Sequence, residues 1–373
     1  MSARNSKSKI AGNKLKKKVL AAMSGGVDSS VAAWLLKNEG YDVTGVTMCL
    51  GVKEDGLERA KCCGPEALED ARLVCDTLGI RHYVLDYAGE LEEKIIAKFV
   101  SEYSRGRTPN PCVDCNRFLK FGTLLEKARA MGFDYLATGH YARIDRINGG
   151  GFVLRKPKDR RKDQSYFLYP ISREDLGSVL FPLATYTKEE VRAIAERENI
   201  PVFAKEESQD LCFVTRKGLP EFLRSRSAGL RPGPINDSRG RVMGEHRGIH
   251  FYTIGQRSGL GISSAAPLYV IAIDPERNTI TVGGREQLKS KGLIAGDLIV
   301  LTDEWPPQAK EILAKIRYRK KEVPCRVEEL KDKVRVIFAE PQESVTPGQA
   351  VVFYEGDIVL GGGVIEEAIG GAG

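Results

Sequence analysis

The chain has 373 residues, 42% hydrophobic and 29% charged, which describes a globular protein of two or three domains with ample core and excludes a disordered or fibrous one. Lys and Arg number 57 against 50 Asp and Glu, and the resulting charge of +7 fits a phosphate-bearing partner without requiring one. No apolar run approaches the ~18 residues of a membrane span and the amino terminus is basic and polar, so no membrane association and no secretory leader are expected, and the expected compartment is the cytoplasm.

In chain order, residues 1–18 read as a basic disordered tail, and the first half then alternates strand and helix. An apolar strand at 19–23 feeds directly into Ser24-Gly25-Gly26-Val27-Asp28-Ser29-Ser30. Glycines let the backbone approach an anion there, and the unpaired N–H groups of the following helix point at it, so the junction is built to hold phosphate. The lysine of the common G-x-x-x-x-G-K-S/T loop is missing. A tight capped turn is the plain alternative, and Asp28 reads either as a carboxylate for a metal or as the helix cap. A helix at 29–38 stops at Gly40. Strand 43–49, helix 65–78, strand 83–85, helix 91–103, helix 121–130 and strand 135–138 follow. Strands separated by helices predict an α/β, doubly wound parallel sheet with its ligand at the carboxyl ends of the strands, here assigned to 19–215. Thr187 to Glu190 is a capping box for a helix running to 199. The texture then changes. A punctuated loop at 229–234 and a hairpin at 268–274 and 279–282 fall in a small central domain, 216–290. Short β segments at 297–301, 312–319, 324–330, 334–338, 349–354 and 358–365 predict a β-barrel over 291–373.

Eight cysteines without a secretory signal point to thiol chemistry or metal rather than a disulfide framework. Thr108-Pro109-Asn110-Pro111-Cys112-Val113-Asp114-Cys115-Asn116 lies between two predicted helices, and its prolines are expected to force a stiff loop. Ser208-Gln209-Asp210-Leu211-Cys212-Phe213 is a second loop with a cysteine. Three readings stand side by side for Cys112, Cys115 and Cys212: small buried residues, a metal or iron–sulfur site, and sulfur transfer between thiolates. Cys75 and Cys325 read as small buried residues, and the adjacent pair Cys62-Cys63 as structural.

The glycine–serine junction resembles the PP-loop of the ATP pyrophosphatases, in which ATP passes its AMP to a substrate oxygen. TPNPxxxCN, TGHYAR (138–143), KDQSYFLY (162–169), SQDLCF and YTIGQRSGLGI (252–262) follow in the order seen in the tRNA-specific 2-thiouridylases, over about 18–365. That resemblance implies adenylation of the wobble uridine O2 by ATP with Mg²⁺, then sulfur transfer to C2 with release of AMP and PPi. It implies an ATP site at Ala22, Met23, Ser24, Gly25, Gly26, Val27, Asp28, Ser29, Met48 and Gly139. Cys115 matches the nucleophile and Cys212 the persulfide carrier, the two forming a transient disulfide. Asn110, Pro111 and Cys112 match the segment beside the target base. His140, Lys162, Asp163, Gln164, Arg317, Tyr318 and Gln349 match positions that contact tRNA. His140, Tyr141 and Tyr166 read as stacking or core aromatics, and Arg317, Arg319, Lys320 and Lys321 as a phosphate-contacting or merely solvated strand face. Implied partners are tRNA, a persulfide donor (a cysteine desulfurase or a sulfur relay protein) and a reductant. One departure is clear: better-studied relatives carry an aspartate, cast as the acid/base, where this chain has Cys112. Cys112 then serves as a titrating thiol, or joins Cys115 and Cys212 in holding a 4Fe–4S cluster. The alternatives are another adenylating PP-loop enzyme, such as a 2-thiocytidine synthetase or an amide-forming synthetase, and a non-catalytic tRNA-binding protein.

Overall fold

The computed structural model describes residues 16–53, 60–61, 65–147, 149–206, 211–215, 218–227, 229–303, 305–306 and 311–370. Most of the expected basic tail, the Cys62-Cys63 pair and Ser208-Gln209-Asp210 lie outside the described residues.

Five parallel strands form the first sheet: β1 (Lys18–Ala22), β2 (Asp42–Cys49), β3 (Arg81–Asp86), β4 (Tyr135–Ala137) and, after a hairpin of β5 (Arg143–Arg146) and β6 (Phe152–Arg155), β7 (Val179–Leu180). Their order is β3-β2-β1-β4-β7, so the chain winds outward in one direction from β1 to β3 and in the other from β4 to β7. The reversal between β1 and β4 opens a crevice at their carboxyl ends, where ligands bind in such sheets. The helices are α1 (Val27–Asn38), α2 (Pro65–Leu78), α3 (88–104), α4 (111–130), the short α5 (Ser165–Leu168), α6 (Lys188–Arg197) and α7 (Leu219–Arg226). Central β1 reads as a continuous apolar run because both faces are covered, with Val19 and Leu20 fully buried. The Thr187 capping box is present, its hydroxyl accepting from Glu190 N while the Glu190 carboxylate accepts from Thr187 N.

The expected loop carrying the cysteines is a helix. Pro111 occupies its first turn, where a missing N–H costs nothing and the fixed φ is already helical, and the Asn110 side chain accepts from Val113 N. Only Thr108 to Asn110 is loop, so Cys112 and Cys115 sit on α4.

Four strands build the central unit: β8 (Gly233–Asp237), β9 (Val242–His246), β10 (Tyr269–Asp274) and β11 (Thr279–Gly283). The expected loop at 229–234 thus gives way to strand from Gly233. The β10–β11 hairpin is present. Asp274 accepts from Glu276 N and Arg277 N, and Asn278 turns the chain with φ +50°.

The carboxyl-terminal strands are β12 (Lys289–Val300), β13 (Ile312–Lys315), β14 (Val323–Leu330), β15 (Lys333–Glu343), β16 (Ala350–Glu355) and β17 (Ile358–Ile369). They run β12-β15-β14-β13-β16-β17, and β17 pairs back with β12, which closes the barrel. The basic segment after β13 is a turn over 317–320, not the expected continuation of the strand. The first domain extends this sheet: β6 pairs with β17 at Arg155 and Ile358. Its core is also continuous with the barrel, since Leu119, Tyr166 and Tyr169 pack in one cluster with Ala350, Val352 and Tyr354.

Candidate functional site: an anion cradle and a thiol-bearing helix

Gly26 caps α1 without any side-chain acceptor, which leaves the first N–H groups of the helix for a ligand. Gly25 has φ +70°, and a Cβ there would stand 2.2 Å from Ala67 O, so only glycine allows this turn. Ser29 Oγ closes the loop: it accepts from Ser24 N at 3.2 Å, lies 3.1 Å from Ser24 Oγ and donates to Gly26 O at 3.0 Å. Asp28 is not the cap. Its Oδ1 accepts from Tyr141 OH at 2.8 Å and from the buried Lys188 ammonium at 2.6 Å. A lysine thus reaches the cradle from α6, 160 residues further along the chain, a separation that no local pattern can read. Ala22 and Met23 end β1; Thr47 Oγ1 donates to Met23 O, and half-buried Met48 stands at the end of β2.

The loop after β4 closes over this cradle. A Cβ on Gly139 would lie 2.7 Å from Ser29 N and 2.8 Å from the Asp28 carbonyl carbon, so the loop backbone rests directly on the first turn of α1. Its next residue turns the other way, towards α4: His140 Nε2 is 3.4 Å from Lys120 Nζ, and His140 Nδ1 is 2.7 Å from Thr138 Oγ1. Three consecutive residues therefore touch the anion cradle on one side and the cysteine helix on the other. Burial, with Lys120 adding to it, holds His140 well below the usual imidazole range. Lys120 escaped the reading of the sequence; its spacing of five from Cys115 was the available signal.

On α4, Cys112 is exposed and Cys115 partly so. Desolvation pushes both thiols up, while Lys120 pulls both down. Asp114 is buried and paired with Lys98 at 2.7 Å; desolvation raises its carboxyl and Lys98 opposes the rise. Exposed Cys212 sits in a turn bridged by Leu211 and Val214, and the turn is anchored by Phe213, which packs edge-on to Phe99 with ring centroids 5.3 Å apart. Phe213 shares its core cluster with Val113 and Leu119 of the cysteine helix. Among the described residues no three His, Cys, Asp or Glu side chains converge as metal ligands, so the ligand set expected for a 4Fe–4S cluster is not assembled. Cys75 is fully buried, its thiol pushed up to about 12 by desolvation, and Cys325 is half-buried with a thiol at about 12. Cys49 is buried at the end of β2 and disulfide-bonded.

The barrel and central unit hold the segment leading into α4. Gln349 Nε2 donates to Thr108 O at 2.8 Å and Pro109 O at 3.2 Å, Thr108 N donates to Pro347 O, and the Thr108 and Thr253 hydroxyls meet at 3.3 Å. Arg317 donates to Ile254 O, Ser344 O and Thr346 Oγ1, tying the two smaller units together. Tyr318 packs on Phe167, ring centroids 4.5 Å apart. Several positions expected to contact tRNA are thus engaged within the protein. Asp163 is buried, accepts from Ser165 N and lies 3.9 Å from Lys315 Nζ, and Gln164 Oε1 accepts from Tyr141 N. Lys162 is half-buried at the head of this segment. Tyr141 and Tyr166 are core residues: Tyr141 is buried, and Tyr166 donates its hydroxyl to Ala350 O. Arg319 and Lys321 are exposed, while Lys320 reaches Glu343 O.

Comparison with known proteins gives three consecutive matches: residues 17–216 to the family described as tRNA methyl transferase HUP domain, 221–284 to its PRC-barrel domain, and 290–365 to the aminomethyltransferase beta-barrel domain. The chain is 60% identical over 355 residues to "tRNA-specific 2-thiouridylase MnmA 1" of Syntrophus aciditrophicus, covering 95% of this chain and 94% of that one. It is 49% identical to the protein named tRNA-specific 2-thiouridylase MnmA of Carboxydothermus hydrogenoformans, covering 95% and 99%. Among solved structures, a 4-thiouridine synthetase–RNA complex with bound ATP aligns at 18% identity and a TM-score of 0.34, covering 56% of this chain and 50% of that one. With 60% identity along nearly its whole length, the chain belongs to the tRNA-specific 2-thiouridylase family.

Proposed function

We propose that the protein is an ATP-dependent tRNA sulfurtransferase that converts the wobble uridine to 2-thiouridine. The observation that carries the reading is the bridge at Thr138, Gly139 and His140, which rests on the anion cradle and reaches the thiol-bearing helix at once. An oxygen activated at the first is then attacked from the second. The curated relatives, named as tRNA-specific 2-thiouridylases, support the nucleic acid and the base.

Bound ATP lays its phosphates across Ser24 to Ser29, where the first-turn N–H groups of α1 and the helix dipole meet negative charge. Mg²⁺ would be held by the Asp28 carboxylate and would neutralise phosphate charge. Lys188, now paired with Asp28, supplies a positive charge beside that carboxylate. Uracil O2 attacks the α-phosphorus and PPi leaves, making O2 a good leaving group. The target base reaches this point only outside the anticodon stack, beside Asn110, Pro111 and Cys112.

Cys212 carries the sulfur as a persulfide supplied by a cysteine desulfurase or a sulfur relay protein. Its terminal sulfur bonds to C2 and AMP departs with O2. The Cys115 thiolate attacks Cys212 Sγ, the persulfide S–S bond breaks, and a Cys115–Cys212 disulfide forms. A dithiol reductant returns the two electrons. The cluster alternative needs Cys112, Cys115 and Cys212 to close on one centre, which the described residues do not do, so no step passes through it. A cytoplasmic location follows from a tRNA substrate; no helix among the described residues is long and apolar enough to cross a membrane.

The test is nucleoside mass spectrometry of tRNA incubated with the protein, ATP and a persulfide source. The reading expects 2-thiouridine at the wobble position with AMP and PPi released. Thiolation at a cytidine, or tRNA binding with no AMP, contradicts it.

A further inference from the structure

Helix α4 changes pitch at the thiols. It is α-helical over Pro111–Asp114 and π-helical over Cys115–Leu124. The i→i+5 hydrogen bonds of a π-helix widen each turn, so residues five apart return to nearly the same face, and such turns gather at functional sites. Cys115 and Lys120 are five apart. Cys112 and Cys115, three apart across the α-helical turn, also share a face. The change of pitch thus lines up two thiols and one ammonium, where an unbroken α-helix would swing Lys120 well away from Cys115. Gly122 permits the wide turn, since a Cβ there would stand 2.8 Å from Arg117 O. Thr123 Oγ1 donates to Phe118 O at 3.0 Å, another step of five.

Lys120 Nζ also reaches His140 Nε2, 3.4 Å away on the loop that covers the anion cradle. An ammonium only donates, so Nε2 is the acceptor, and Nδ1 carries the proton towards Thr138 Oγ1 at 2.7 Å. The ring is wedged by Phe121 and Phe181, with centroids 6.1 and 6.0 Å away.

We propose that Lys120 is the fixed cation of the sulfur-transfer site, a positioning residue that faces the Cys112 and Cys115 thiols and holds the neutral His140 ring. The proposal deepens the function above and rests on Cys115 being its reacting thiol. The charges that act on the Cys115 thiol are those of Lys120 and Asp114, and Asp114 is itself tied to Lys98 and acted on by Arg117 and Asp297. Burial and Asp114 push the Cys115 thiol up, and Lys120 is the counterweight. The same ammonium, with burial, keeps the imidazole uncharged. One positive charge therefore favours a thiolate and disfavours an imidazolium side by side, so His140 orients a partner as a neutral ring while the Cys115 proton leaves to water.

The test reads the thiol and not turnover. Full-length protein is alkylated with iodoacetamide over a pH series, iodide leaving as the thioether forms, and the Cys115 peptide is quantified by mass spectrometry. Lys120→Gln is expected to move the Cys115 midpoint about one pH unit upward, while Lys120→Arg keeps it near wild type. An unmoved midpoint in Lys120→Gln, or an equal shift in Lys120→Arg, overturns the proposal. Nitrogen-15 NMR of the wild-type protein needs no variant: His140 is expected as the neutral Nδ1–H tautomer at pH 7, and an imidazolium or an Nε2–H ring overturns it. Thiolation surviving in Cys115→Ser would instead remove the nucleophile reading while leaving both measurements on Lys120 decisive.

Discussion

Gly139→Ala isolates the contact between the loop after β4 and the anion cradle. The added Cβ would stand 2.7 Å from Ser29 N, 2.8 Å from the Asp28 carbonyl carbon and 3.0 Å from Asp28 O, all backbone atoms of the first turn of α1. No side chain can swing aside to relieve it. Bringing 2.7 Å to an ordinary 3.4 Å contact parts loop and helix by about 0.7 Å. Overpacking of this kind costs about 1–3 kcal/mol of stability. The larger effect falls on chemistry, because a displacement near 1 Å of reacting groups costs about 100-fold in rate. Adenylation, followed as AMP release with tRNA present, should therefore fall about 100-fold. Gly132→Ala is the control: its φ is +79°, but nothing lies within 4 Å of the added carbon, so it strains the backbone without touching the cradle. Wild-type AMP release from a folded Gly139→Ala protein would refute the placement of ATP against this turn.

Gln349→Ala removes donors from Thr108 O and Pro109 O, a cost of about 1–3 kcal/mol where those carbonyls stay dry. Amide hydrogen exchange across 112–116 should rise and thiolation should fall with tRNA affinity unchanged; weaker tRNA binding with unchanged exchange would make Gln349 an RNA contact instead. Cys212→Ser should still release AMP but give no 2-thiouridine, and nucleoside mass spectrometry that finds the thiolated base contradicts its role as carrier. Burial is the first cause that lowers the pKa of His82, His140, His246 and His250 from the ordinary 6.5. Below pH 6.5 the unfolded chain then binds more protons than the folded one, so stability is full above that pH and is lost as pH falls towards the folded-state values. Urea unfolding at stepped pH checks this, and a midpoint that holds steady from pH 7 down to 5.5 contradicts it.

The strand–glycine–helix junction was legible because its chemistry is local: a turn that needs φ > 0 at Gly25 leaves its mark in seven adjacent letters. The same holds for the Thr187 capping box and the β10–β11 hairpin. The start of α4 was misread because proline breaks helices everywhere except in their first turn, and only the Asn110 cap distinguishes the two cases. The engagement of Arg317 and Gln349 with backbone carbonyls could not be seen, since their partners are 27 to 241 residues away. Lys188 and Lys120 were missed for related reasons. One arrives from a distant helix, and the other shows only a spacing of five from Cys115, which brings the two to one face solely where the helix takes a π pitch.

The sharing of strands between the nucleotide-binding half and the barrel orders events on the ribosome. β6, made early and already paired with β5, finds its second partner only when Ile358 emerges, and Tyr166 and Tyr169 stay uncovered until β16 arrives. A nascent chain holding every cradle and thiol residue but lacking β16 and β17 would still show a raw strand edge and a wet apolar face. At about 5–20 residues per second the roughly 180 residues between Tyr169 and Ala350 take about 9–36 s to make, so the finished half must persist unsealed for that long, which makes it a natural client for a chaperone.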